Sequence, residues 1–179
     1  MKTEWTWKQH STNITECNLC PRLRKHCTQT AKEKRKAFQS EHYWGKPVPS
    51  FGDQNARLMI LGLAPAAHGA NRTGRMFTGD NSGLWLYRAL HKAGFANQAQ
   101  SQHLDDGLVL KNAWVSAVAH CAPPDNKLSP KEITNCHPFL AAEIQHLKHI
   151  RVFLALGGVA HTALNQYFKK TKLWVGPAP

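Results

Sequence analysis

The stretch 58–80, Leu58-Met59-Ile60-Leu61-Gly62-Leu63-Ala64-Pro65-Ala66-Ala67-His68-Gly69-Ala70-Asn71-Arg72-Thr73-Gly74-Arg75-Met76-Phe77-Thr78-Gly79-Asp80, decides the fold. Leu58 to Leu63 is a short apolar run preceded by the turn formers Gly52-Asp53-Gln54-Asn55 and followed by Ala-Pro-Ala, which is the pattern of a buried strand. The remainder sets small residues (Gly62, Ala64, Pro65, Ala66, Ala67, Gly69, Gly74, Gly79) between Arg72, Arg75, Phe77 and Asp80. In open α/β sheets, ligands sit beyond the carboxyl ends of strands, and small residues there let a ligand approach the backbone. The competing reading is an ordinary surface loop whose glycines only turn the chain.

Outward from this stretch, strands and helices alternate. After the charged run Arg22-Leu23-Arg24-Lys25-His26 a helix is expected to follow to Ser40, and the Gly- and Pro-rich 44–52 is expected to be a loop. Leu84, Trp85, Leu86, Ala89, Leu90 and Ala93 suit a helix capped by Asn81 or Ser82 and closed by Gly94. Ala113–Ala119 is a second buried strand. Ser129 caps the next helix, with Pro130 at its first position and Glu132 completing a capping box. Val152–Leu156 is a third strand, Gly157-Gly158 its turn, and Val159–Phe168 a third helix. Such alternation predicts an α/β fold, a three-layer α/β/α domain around a central, mostly parallel sheet spanning the whole chain.

The chain has 179 residues, 42% of them hydrophobic, enough for one domain with a core of its own. Lys and Arg number 23 against 11 Asp and Glu, a formal charge of +12. An excess of that size favours a polyanionic partner, nucleic acid above all. No apolar run is long enough for a membrane span and Met1 opens no signal-peptide pattern, so a cytoplasmic protein with no membrane partner is expected. Five cysteines, an odd number without a secretory signal, argue against a disulfide framework. Cys17 and Cys20 stand as C-x2-C, and Cys121 and Cys136 flank a Pro-rich turn and a helix start. Four thiolates in two pairs point to a metal site, zinc or iron–sulfur, that ties the N-terminal segment to the loop after the second strand. Cys27 is left as a free thiol.

The segments Gly62–Asp80, Tyr43–Asp53 and His120–Pro130, with Asn135-Cys136 after them, closely resemble the family-five, UdgB-type uracil-DNA glycosylases. The resemblance runs from Cys17 to about Asn165. It implies a monomeric, monofunctional glycosylase that acts on DNA containing uracil or other deaminated bases. It also implies that Cys17, Cys20, Cys121 and Cys136 hold a four-iron four-sulfur (4Fe-4S) cluster. Asp80 matches the family's catalytic Asp, and Phe77 its aromatic that stacks on a flipped base.

The residues suit that chemistry. Breaking an N-glycosidic bond builds positive charge on the sugar and negative charge on the departing base, so a carboxylate is needed on one side and hydrogen-bond donors on the other. Asp80 is the carboxylate, with an N-cap role as the bland alternative. Backbone amides from Ala64 to Ala67, with His68 beside them, are the expected donors to the base. Lys46, Arg72 and Arg75 are the expected phosphate contacts.

Two departures stand out. Related enzymes carry Asn where this sequence has Ala117, which predicts broader base tolerance. They also continue beyond the third helix into a further strand and a His-Pro-Ser loop, whereas this sequence ends in Trp174-Val175-Gly176-Pro177-Ala178-Pro179. A truncated or inactive member is therefore expected, with an exposed sheet edge. The rival readings are a non-catalytic iron–sulfur protein that binds damaged DNA, and a zinc-stabilised protein of unrelated chemistry.

Overall fold

The computed structural model describes residues 5–172. Four strands, β1 (Phe51–Gly52), β2 (Leu58–Gly62), β3 (Ala113–Ala117) and β4 (Val152–Ala155), form one sheet in the order β1-β3-β2-β4. β2 runs parallel to both β3 and β4, with Gly62 opposite Ala117 and Leu61 opposite Ala155, and only the short β1 is antiparallel. The six helices are α1 (Trp7–Thr15), α2 (Pro21–Glu33), α3 (Ala70–Thr73), α4 (Asn81–Lys92), α5 (Pro130–His146) and α6 (Gly158–Thr171).

Alternation along β2 sorts the core into two layers. Ile60, with Val115 of β3, packs against Tyr87 and Leu90 of α4, while Met59, Leu61 and Trp114 pack against Leu140 of α5 and Leu164 of α6. Both faces of the central strands are thus covered, as a parallel sheet requires. Each such side chain stabilises the fold by roughly 1.5–3 kcal/mol on burial. A third, smaller cluster joins Leu23 and Cys27 of α2 to Cys121 and Ala122.

Several expected boundaries shift. α2 ends at Glu33 rather than Ser40, because Lys34 turns to φ 53°, and a 3-10 turn over Lys36–Phe38 follows. The 44–52 segment closes in β1, an edge strand. The capping residue of α4 is Asp80, not Asn81 or Ser82. The capping box at Ser129 and Glu132 forms as expected. β4 is a sheet edge among the described residues, with Val152, Leu154 and Leu156 exposed. The expected loss of a C-terminal strand and His-Pro-Ser loop falls on residues outside the described range. Among the described residues no helix is long and apolar enough to cross a membrane.

The buried Glu143 of α5 fastens α1 and the 44–52 loop to this frame. It receives Ser50 Oγ at 2.6 Å and Trp114 Nε1 at 3.2 Å, and pairs with His10 Nε2 at 3.1 Å. Burial works to raise its pKa, but His10, His120 and the two serines Ser50 and Ser116 hold the carboxyl below its ordinary value.

Candidate active site

The loop after β2 is shaped by three glycines that each make room for one functional residue. At the strand end, a Cβ on Gly62 would stand 2.6 Å from Phe77 Cζ, so only glycine lets that ring lie against the sheet. In the first turn of α4, a Cβ on Gly83 would overlap the Phe77 carbonyl oxygen. Phe77 itself is held at φ 53°, a left-handed conformation that costs a bulky L-residue roughly 1–2 kcal/mol. Tyr87 helps to keep it there by donating its hydroxyl to Met76 O at 2.8 Å. The Phe77 ring is half-buried against a cluster that includes Ile60 and Ala117.

Asp80 follows on the same turn. Its Oδ1 accepts from Gly83 N at 2.9 Å and from Ser82 Oγ at 2.7 Å, which caps α4. Its Oδ2 lies over Gly69 Cα, where a Cβ would overlap it, and accepts from no protein group among the described residues. One carboxylate oxygen therefore holds the helix while the other stays available. The cap occupies one carboxylate oxygen, and the expected catalytic role would fall to the other.

Arg72 and Arg75 are not where a phosphate contact would put them. Arg72 is buried in α3: its Nε donates to His68 O at 2.7 Å, its Nη2 to Gly79 O at 2.7 Å, and its Nη1 to Glu41 Oε2, with the guanidinium over the Phe38 ring. It clamps the two ends of the 68–79 loop together. Arg75 is also buried, donating to Thr78 Oγ1, Leu104 O, Ser101 Oγ and, at 2.7 Å, Asp106 Oδ2. Both cations are spent inside the loop, which corrects their expected DNA role. Burial works to raise the Asp106 carboxyl, but Arg75 and the amides of Gln102, Leu108 and His103 hold it at about 2. Lys46 is exposed, as a phosphate contact must be.

Ala66, Ala67, His68 and Asp80 line one open cavity together with Arg35, Phe38 and Asn126. Ala64, Pro65 and Phe77 do not line it; they sit nearer the strand end. The N–H groups of Ala64, Ala66, Ala67 and His68 donate to no acceptor among the described residues, so they are available to a ligand. Pro65 has no N–H and drops out of the expected row of donors. His68 Nδ1 lies 3.0 Å from the Tyr43 hydroxyl. Its pKa is lowered by burial first, and then by Arg35, Arg72 and His26. Arg35, Phe38, Tyr43 and Asn126 carry no signal in the sequence that marks them as site residues. Arg35 lies in a charge run and Asn126 in what reads as a plain Pro-Pro-Asp-Asn turn, yet Asp125 and Asn126 at φ 53° and 55° bend that turn to the cavity.

The four expected metal ligands meet at a separate place. Cys17 after α1, Cys20 at the start of α2, Cys121 after β3 and Cys136 in α5 line a single small cavity together with Leu23 and His120. Cys27 does not line it; its Sγ is 3.7 Å from Ala122 O. Burial, together with the neighbouring Cys17 and Cys20 and against an amide hydrogen bond from His120, pushes the Cys136 thiol up to about 12. Ionising it needs a cation beside the sulfur, which is what a bound metal supplies. Among the described residues no three His, Cys, Asp or Glu side chains are grouped tightly enough to hold one metal ion.

Residues 49–179 match the Uracil DNA glycosylase superfamily. A type-5 uracil-DNA glycosylase of Mycobacterium bovis is 51% identical over 148 residues, 82% of this chain and 55% of that protein. One from Thermus thermophilus is 46% identical over 155 residues, 87% of this chain and 70% of its own. One from Pyrobaculum aerophilum is 43% identical over 151 residues, 84% and 66% of the two chains. The chain thus spans about half the length of the mycobacterial relative and about two thirds of the other two.

Proposed function

We propose, for a chain that belongs to the uracil DNA glycosylase superfamily, that it releases uracil and other deaminated bases from DNA by hydrolysing the N-glycosidic bond. The observation that carries this reading is one cavity lined by both Asp80, whose Oδ2 accepts from no protein group among the described residues, and Ala66 and Ala67, whose amides donate to none. The C1′–N bond breaks with both electrons leaving on the base. The amides receive the negative charge that the base acquires, and the Asp80 carboxylate opposes the positive charge on the sugar. Asp80 also orients a water that adds at C1′, and the proton this water loses ends on the released base. Phe77, half-buried beside the strand end, is the aromatic that would stack on a base swung out of the duplex. Asn126 adds a side-chain amide to the cavity lining. Exposed Lys46 remains a phosphate contact, as expected, and exposed Arg35 joins it in place of the buried Arg72 and Arg75.

The cysteine cavity supports a 4Fe-4S cluster held by Cys17, Cys20, Cys121 and Cys136. A set of four thiolates is the donor set of such a cluster, and the family resemblance favours it over zinc. The bound group would cross-link α2, the loop after β3 and α5, a structural contribution to an N-terminal segment with few apolar residues. The protein would act as a cytoplasmic monomer. Nothing in the site favours DNA binding without excision.

The test is single-turnover release from duplexes carrying uracil or hypoxanthine, developed with alkali, on protein whose iron and sulfide content and visible absorption are measured. Cleavage at the lesion supports the reading. A cluster-loaded protein that binds the duplex and leaves every base in place overturns it.

A further inference from the structure

We propose that His68, held by Tyr43 with its proton on Nε2, is a further catalytic residue that hydrogen-bonds the departing base and stabilises its negative charge. This rests on the glycosidic reading above and adds to it the source of a side-chain donor.

The tautomer follows from the hydrogen-bond inventory of Tyr43. That residue is 4% exposed, so its hydroxyl proton needs an acceptor within the protein. The backbone N–H of Arg35 points at Tyr43 Oη at 3.4 Å and uses the oxygen as an acceptor. The one acceptor the hydroxyl itself meets among the described residues is His68 Nδ1 at 3.0 Å. Were Nδ1 protonated, two N–H groups would face the phenol and its own proton would be stranded without an acceptor. Tyr43 therefore donates, Nδ1 accepts, and the proton of the neutral ring sits on Nε2. Burial and the nearby Arg35 and Arg72 favour the neutral ring over the cation.

Nε2 has no partner among the described residues, and His68 lines the same cavity as Asp80 and as Ala66 and Ala67, whose amides are unpaired among those residues. Arg72 fixes the residue further by holding His68 O at 2.7 Å. A neutral N–H so placed donates to an anion without surrendering its proton, and the bond it makes strengthens as charge builds on the base. Tyr43 touches no reacting atom in this scheme; it is a positioning residue.

The experiment compares single-turnover excision of uracil and of fluorouracil, whose anion is the more stable and needs less help in leaving. His68→Ala should slow uracil release by about 10²–10³-fold, the usual effect of removing one such donor, and fluorouracil release by a clearly smaller factor. His68→Gln, which keeps an N–H, should recover part of the loss, and Tyr43→Phe should slow uracil release by roughly tenfold. Nitrogen NMR of the imidazole should show Nε2–H in the unmodified protein and a mixture of tautomers in Tyr43→Phe. Equal losses on the two bases, or an Nδ1–H ring in the unmodified protein, would overturn the assignment. Should His68→Ala not fold, the Gln and Phe variants still decide it. If the unmodified protein releases neither base, the glycosidic reading itself has failed, a result separable from the other two.

Discussion

Asp80→Asn isolates the chemical role of Asp80 from its structural one. Oδ1 caps α4 through Gly83 N and Ser82 Oγ, and Asn is about as good an N-cap as Asp, whereas Ala costs about 1 kcal/mol. For a domain of this size that is a fall in Tm of about 2–4 °C for Asp80→Ala and close to none for Asp80→Asn. Excision should behave otherwise, because both variants remove the charge at Oδ2. A positioned carboxylate is worth roughly 10²–10⁴ in rate, or about 3–5 kcal/mol of barrier. Both variants should therefore lose two or more orders of magnitude in single-turnover release, with duplex affinity unchanged within about threefold. The assay pairs thermal unfolding with burst-phase release on the same preparations. An Asn variant that stays within a few fold of the unmodified rate, beside an inactive Ala variant, would mean that Asp80 is a cap and nothing more.

Gly69→Ala drives a methyl into the Asp80 carboxylate, and should cost about 1–3 kcal/mol of stability and most of the excision rate while leaving duplex affinity alone; chemical denaturation and single-turnover kinetics read the two effects. Lys46→Ala and Arg35→Ala should each lower the slope of log affinity against log salt by about 1, the loss of one phosphate contact, whereas Arg72→Lys should leave that slope unchanged and lower the Tm. Glu132, held at about 2 by its pair with Arg22, and Asp106, also at about 2, lie below their ordinary values of 4.5 and 3.8. Their contribution is complete above about pH 4.5 and fades as the pH falls towards 2, so Asp106→Asn and Glu132→Gln should each flatten the acid limb of a urea-midpoint profile. A limb as steep as that of the unmodified protein would show that other carboxyls set it.

The frame of this fold was legible because its signals are local. An apolar run of strand length at Leu58–Leu63, repeated at Ala113 and Val152, needs no tertiary information to be read, and neither does a Ser-Pro-x-Glu capping box. Helix ends were less legible where a single residue turned the chain: nothing in the Lys32–Lys36 charge run marks Lys34 as the one that leaves the helix. The cysteines were legible as a set because thiols have few other reasons to pair at such spacings in a chain of this kind. The cavity around them depends on how α5 lies against α2, and the sequence carries no local record of that.

The arginines show where reading by residue type fails. A guanidinium in a loop near a nucleic-acid site is usually a phosphate contact, and the net charge of +12 encouraged that reading. Yet a loop of small residues has little side chain with which to hold its own shape, and something has to bind its carbonyls. Arg72 does this by spanning His68 O and Gly79 O, and Arg75 by spanning Thr78, Ser101, Leu104 and Asp106. A loop of small residues thus needs buried cations behind it, and in the proposed complex the charge that meets DNA has to come from elsewhere. Arg35 beside the cavity and Lys46 over Trp44 are placed for it. Substituting the buried arginines should accordingly disorder the site before it weakens the grip on DNA, and substituting the exposed cations should do the reverse.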